Sequence, residues 1–229
     1  MMSEWWTYRP EDLLLFSERV YWRLFELHNA AVWPAQIVAF GLGAAMFLFV
    51  VQPRPQSNRV AALILAAAWM FVAWAFLWNS YATINWAARW AAPLFVFEAL
   101  LLAWIGGLRG ALEWRGPGNA LGLALFLYAL AVHPLIAVFA GRPLAAAEVF
   151  GVAPDPTVIA TLGLVAMAKG RGVSLLLVVP LAWCAASWLT LRTMGAWEAW
   201  IPFAAVPVAL AARGWQRIQE RREGARRPG

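Results

Sequence analysis

One cysteine, one lysine and two histidines are all that 229 residues offer of the side chains that most often do covalent or metal chemistry. Cys184 stands alone in an apolar run, which excludes an internal disulfide and a cysteine-based metal site; a thiol in such surroundings packs as a small hydrophobe. Lys169 falls in a short turn between apolar runs, which disfavours a retinal-type Schiff base. His28 and His133 are too few for a three-histidine zinc centre unless carboxylates complete it, and nothing else marks a haem pocket. Ser174, Ser187 and Thr190 have no His or acid nearby in sequence, so they read as hydrogen-bonding groups between helices rather than as nucleophiles. Charge is scarce too, at 13% of the chain against 63% hydrophobic residues, with a mean hydropathy of +0.64. That balance excludes an ordinary soluble domain and places the chain in a bilayer.

What is present is a series of apolar runs, at 32–51, 60–78, 90–107, 119–139, 156–168, 172–191 and 196–212. A helix needs roughly 20 apolar residues to cross a hydrocarbon core. The expected fold is therefore all-α, a polytopic transmembrane helical bundle of about seven spans. Residues 1–30 form an amphipathic interfacial segment, 31–213 the bundle and 214–229 a basic tail. Turn chemistry separates the runs, as in "QPRPQSNR", "RGALEWRGPG" and "AKGRG". Many of the 16 Trp, including Trp33, Trp78, Trp90, Trp114, Trp197 and Trp200, stand at run ends, as an interfacial aromatic belt requires. The amino-terminal "MMSEWWTYRPED" is acidic and aromatic, unlike a cleaved signal peptide.

Orientation follows from the basic residues, which concentrate in short cytoplasmic loops. With the tail inside, seven alternating crossings put twelve Lys and Arg on the cytoplasmic side and six outside, while eight of the twelve acidic residues fall outside. The amino terminus is expected outside and the carboxyl terminus in the cytoplasm. Beside a final span, the Arg-rich tail reads as a topology signal that touches anionic lipid, not as a nucleic-acid arm.

Before the first run, Phe16, Val20, Tyr21, Leu24, Phe25 and Leu27 can share one helix side, with Leu13 and Leu14. The segment should lie on the outer surface or cap the bundle, either as an interfacial anchor or as a lid whose "ELHN" end, Glu26 to Asn29, reaches into an outward cavity. In "EVFGVAPDPT", Asp155 precedes Pro156, the pattern of an N-cap residue followed by proline at the first helical position. The helix that starts there covers 156–168 and is too short to cross alone. It reads either as a tilted span in a thinned bilayer or as part of a broken helix of the kind that builds transporter sites.

Two stretches, "EWWTYRPEDLLLFSERVYWRLFELHN" and "EVFGVAPDPTVIATLG", resemble small multi-pass bacterial inner-membrane proteins grouped only as a family of unknown function. The resemblance implies a bacterial inner-membrane origin; it implies no activity, and no functional residue is carried over from it.

Chemistry is then sought in the rare polar groups. Glu98, in "PLFVFEALLLAW", is the one carboxylate deep inside an expected span, Glu198 being counted outside at the very start of the last run, and ionisable residues there are functional candidates by default. On the expected orientation Glu98 and His133 lie at similar depth below the outer face, with Pro134 opening the helix beside His133. The expected ligand-binding site centres on Glu98 and His133, with His28, Asn79, Asn85 and Asp155 as neighbours. Transport or binding of a small solute or ion is the first reading. A membrane-embedded enzyme using Glu98 with a histidine on a lipid-type substrate, or a structural subunit of a membrane complex, is the alternative. Cofactor, metal and catalytic residues stay unassigned. The bilayer is the expected partner, nucleic acid is not, and self-association is left open.

Overall fold

The computed structural model describes residues 16–54, 56–114, 119–170 and 172–225, without the side chains of 223–225. The part of the amphipathic segment at 1–15, with Leu13 and Leu14, lies outside the described residues. Among the described residues the fold is all-helical, without strands, and the only extended pairing is an isolated antiparallel bridge between Glu113 and Lys169.

Helix α1 (Glu18–Ala31) starts at Ser17, whose side chain accepts a hydrogen bond from Val20 N. Its buried stripe is Tyr21, Trp22, Leu24, Phe25 and His28. Val20 and Leu27, seven residues apart and so on one flank, are exposed rather than buried. At Trp33 and Pro34 the chain turns by 87° into α2 (Ala35–Val51). Helix α3 (Ser57–Phe71) continues through a π-helical stretch, Val72–Trp78, to a short 3-10 turn, Tyr81–Thr83. Helix α4 (Ala88–Leu102) also runs on as a π-helix, Ala103–Leu108. Helix α5 (Ala120–Leu127) passes through a third π stretch, Tyr128–Val132, and the turn His133–Leu135 into α6 (Ile136–Phe139). Helix α7 (Pro154–Met167) follows a loop with one 3-10 turn, Leu144–Ala146. Helix α8 (Val178–Thr193) is led in by Val173–Leu177, and α9 (Trp200–Ala225) closes the chain.

Four of these helical rods are long and apolar enough to cross a membrane, Ser57–Thr83, Ala88–Leu108, Ala120–Phe139 and Val173–Thr193; the bent α1–α2 pair would make a fifth. The seven spans expected from the sequence are thus corrected to four or five. The run at 32–51 yields only the 17 residues of α2 after the bend, and the run at 156–168 only the 14 of α7, about 21 Å of helix. The run at 196–212 begins with a separate turn, Trp197–Ala199, and α9 then leads into Arg213, Gln216 and Arg217.

Helix α7 is the axis of the fold. Every residue from Gly151 to Ala168 is buried, enclosed by α3, α5, α8 and α9. Large apolar side chains lie on the outside instead, for instance Leu94, Phe97, Leu100 and Trp104 on α4. The bundle is inverted relative to a water-soluble protein only in this outer layer; inside, aromatic packing plays its usual part, while several buried polar atoms, those of Glu98 and His133 among them, have no hydrogen-bond partner.

The loops gather at two ends of different charge. At one end, Gly110 sits against Arg59, the Glu113–Lys169 bridge joins two turns, and Arg213 caps α7 by donating to the Ala168 carbonyl. At the other end are Glu148, Asp155 and Glu198, with Arg142 held by Glu198.

Candidate functional site

The acidic end is built around the first turn of α7. The expectation that Asp155 caps this helix is corrected. The helix begins at Pro154, the cap position is Ala153, and no side chain caps it. Two prolines fit in a first turn because no backbone N–H is required there. Thr157 closes the turn instead, accepting from Gly151 N at 2.8 Å and donating to Ala153 O at 2.7 Å.

Asp155 is thereby left to point sideways at α8. Trp183 donates its indole N–H to Oδ1 at 2.7 Å, and Ser187 donates its hydroxyl to Oδ2 at 2.6 Å. Trp183 and Ser187 are four residues apart, hence on one face of α8. Both also line a cavity of about 140 Å³ with Tyr21, Tyr81, Asn85 and Thr190. Tyr21 and Tyr81 meet edge to face at 5.8 Å, with Phe16 stacked on Tyr21. Asn85 donates to the Tyr81 hydroxyl at 3.0 Å and accepts from Ala87 N, so the cavity rim is hydrogen-bonded to itself.

Behind Asp155 stands a second carboxylate. Glu148 and His133 both lie close enough to act on the charge of Asp155. His133 Nε2 is 3.6 Å from Glu148 Oε2, and its ring meets Tyr128 edge to face. Glu148 Oε1 and both His133 nitrogens are buried without a hydrogen-bond partner. The π stretch Tyr128–Val132 ends at His133, and π turns inside α-helices occur most often at functional sites. Arg142 is paired with Glu198 and lies 3.4 Å above the Trp22 ring, which neutralises it and ties the loop to α1.

The other expected residues are placed apart from one another. His28 bonds Ser80 at 2.9 Å through Nδ1 and lies by the backbone of Val152. Its neighbour Asn29 pins the loop from the far side by donating to the carbonyls of Ala145 and Ala147, both at 2.8 Å. Asn79 is exposed at the end of a π stretch. Glu98 is fully buried on α4, and both of its carboxylate oxygens are without a hydrogen-bond partner. It does not line the Tyr21–Tyr81–Asn85 cavity, which borders α4 at Ala88 and Ala91.

The structure therefore brings Asp155, His133 and Asn85 into one region and sets Glu98, His28 and Asn79 around it at other positions. Sequence reasoning did not place Glu148, Tyr21, Tyr81 or Trp183 in the site; Ser187, read as a hydrogen-bonding group between helices, does bond across from α8 to Asp155 on α7. The four-residue spacing of Trp183 and Ser187 was the available signal, because it aims an indole and a hydroxyl in one direction. No group of three or more His, Cys, Asp or Glu among the described residues is arranged to hold a metal ion.

No curated protein and no solved structure matches the chain. Residues 18–223, from the first residue of α1 well into α9, match the model of a family described as a family of unknown function, DUF6064. The chain belongs to that family.

Proposed function

We propose that the protein is a multi-pass protein of the bacterial inner membrane, amino terminus outside and carboxyl terminus cytoplasmic, that binds a small cation in the Tyr21–Tyr81–Asn85 cavity as the first step in carrying it. The observation that supports this reading is the seat of Asp155. Its carboxyl group is held by Trp183 and Ser187, and both of those side chains form the wall of a cavity faced by two tyrosine rings. A carboxylate behind aromatic faces is the chemistry that recognises ammonium-type cations. Charge balance points the same way. Arg142 is matched by Glu198, which leaves Asp155 and Glu148 against the single His133. The basic loops at the opposite end of the bundle support the orientation.

Purified protein in lipid nanodiscs should gain thermal stability, saturably, from ammonium or methylammonium ions. Acetate and glycerol should have no such effect. The gain should vanish in Asp155→Asn and weaken in Trp183→Phe, which keeps the ring and removes the N–H. An equal response to acetate, or an undiminished response in Asp155→Asn, would sink the proposal.

A further inference from the structure

Glu98 presents a separate problem. It lies on the inward stripe of α4, with Ala88, Ala92, Phe95, Ala99 and Leu102. Ala91, at the cavity wall, is two turns away, about 10 Å along the helix axis. Between them is an aromatic layer. Phe95 packs on Trp69 with ring centroids 4.4 Å apart and on Trp183 at 4.9 Å. Trp69 and Trp183 are themselves fixed by hydrogen bonds, to Thr161 at 2.8 Å and to Asp155 at 2.7 Å.

Below that layer Glu98 has no partner. Neither oxygen receives a hydrogen bond, and the side chain is 0% exposed. The elements packed on α4 bring few titratable groups. On α3 there is Arg59, which sits against Gly110 at the basic end. The turn Tyr81–Thr83 brings Tyr81, which belongs to the cavity. Helix α8 brings Cys184, buried, and Arg192 in its last turn; Val173–Leu177 and the two π stretches bring none. On α4 itself Arg89 lies in the exposed first turn. None of these groups donates a hydrogen bond to the Glu98 carboxyl. A carboxylate with neither donor nor counter-ion in such an interior costs several kcal/mol, whereas the carboxylic acid is tolerated.

We infer that Glu98 is a proton-binding site in its own right, closed off from the polar cavity by the layer of Trp69, Phe95 and Trp183. The proton is delivered from hydronium in the cavity, which is left as water, and bonds to one carboxylate oxygen; it returns to a cavity water by the same route when Phe95 and Trp183 part. Because Trp183 touches both Phe95 and Asp155, the layer joins the two acidic groups mechanically. The site stands whether or not the cavity takes a cation, since it rests on Glu98 and its surroundings alone.

Infrared spectroscopy of the whole protein in nanodiscs, with no solute added, tests this. A carbonyl band of a protonated carboxylic acid without hydrogen-bond donors should be present at neutral pH, absent in Glu98→Gln and retained in Asp155→Asn. In D2O it should shift slowly. In Phe95→Ala the shift should be faster by at least about tenfold, since the packing of a buried aromatic is worth more than that factor. Should Glu98→Gln fail to accumulate, carbon-13 glutamate labelling of the wild-type chain must move the band, and Glu148→Gln must keep it. A band that survives Glu98→Gln, or that ignores the glutamate label, overturns the site. Equal exchange rates in the wild type and Phe95→Ala overturn the closure.

Discussion

A Cβ atom placed on Gly163 of α7 would stand 2.5 Å from the carbonyl oxygen of Gly122 on α5 and 2.8 Å from Phe126 N. The reverse holds as well, for a Cβ on Gly122 would stand 2.8 Å from the Gly163 oxygen. The two helices cross backbone to backbone, as small residues permit in apolar bundles. Backbone cannot step aside as a side-chain tip can. Gly163→Ala is expected to destabilise the protein by about 1–3 kcal/mol or more through overpacking. Gly41→Ala, on α2 with nothing within 4 Å, should be neutral or mildly stabilising. Thermal unfolding of both variants in detergent checks the contrast, and equal midpoints would refute it.

The Arg142–Glu198 pair carries a second prediction. Glu198 is only 5% exposed, and Arg142 is its ion-pair partner as well as the cation over Trp22. Arg142→Met strands a buried carboxylate and should cost about 3–5 kcal/mol. The double variant Arg142→Met with Glu198→Leu should cost less than Arg142→Met alone, because no buried charge is left without a partner. A double-mutant cycle from denaturant unfolding measures this directly, and additive losses would contradict it.

Trp69 and Thr161 should respond unequally to substitution. The Thr161 hydroxyl accepts from the Trp69 indole and donates to the Thr157 carbonyl at 2.7 Å. Thr161→Val therefore leaves a buried indole N–H without an acceptor and should cost about 1–3 kcal/mol. Removing the same bond from the other side, by Trp69→Phe, leaves Thr161 still bonded to Thr157. Beyond the packing loss that any smaller ring brings, no polar penalty is then expected. Comparing Trp69→Phe in the wild-type and Thr161→Val backgrounds separates the two contributions: the substitution should cost less in the second background, because there it also removes the stranded indole N–H.

The sequence carried the helical class and the position of most rods plainly. The runs at 60–78, 90–107 and 119–139 correspond to Ser57–Thr83, Ala88–Leu108 and Ala120–Phe139 within a few residues. Hydropathy marks apolar residues without saying what they face, and this is why 156–168 counted as a span. Outward-facing Leu94 and Leu100 on α4 and enclosed Leu and Val on α7 look alike in one dimension. Asp155 stood out because two prolines flank a carboxylate in an apolar context. Its partners Trp183 and Ser187 lie 28 and 32 residues further on and share no local pattern with it. Only the approach of α8 to α7 joins them. The N-cap assignment failed for a related reason. Sequence shows that a helix starts near Asp155, but whether the carboxyl turns back to the backbone or outward to an indole depends on what is packed beside it.

The complete enclosure of α7 also bears on how the chain is assembled. A nascent helix must satisfy its own polar groups until its neighbours are made. Helix α7 is 14 residues long and carries Asp155, Thr157 and Thr161, so it is poorly suited to wait in that state. Two of its four walls, α3 and α5, are synthesised before it; the other two, α8 and α9, follow it. Its seat is finished only when α9 has emerged from the ribosome, which makes the final quarter of the chain the closing half of its cradle.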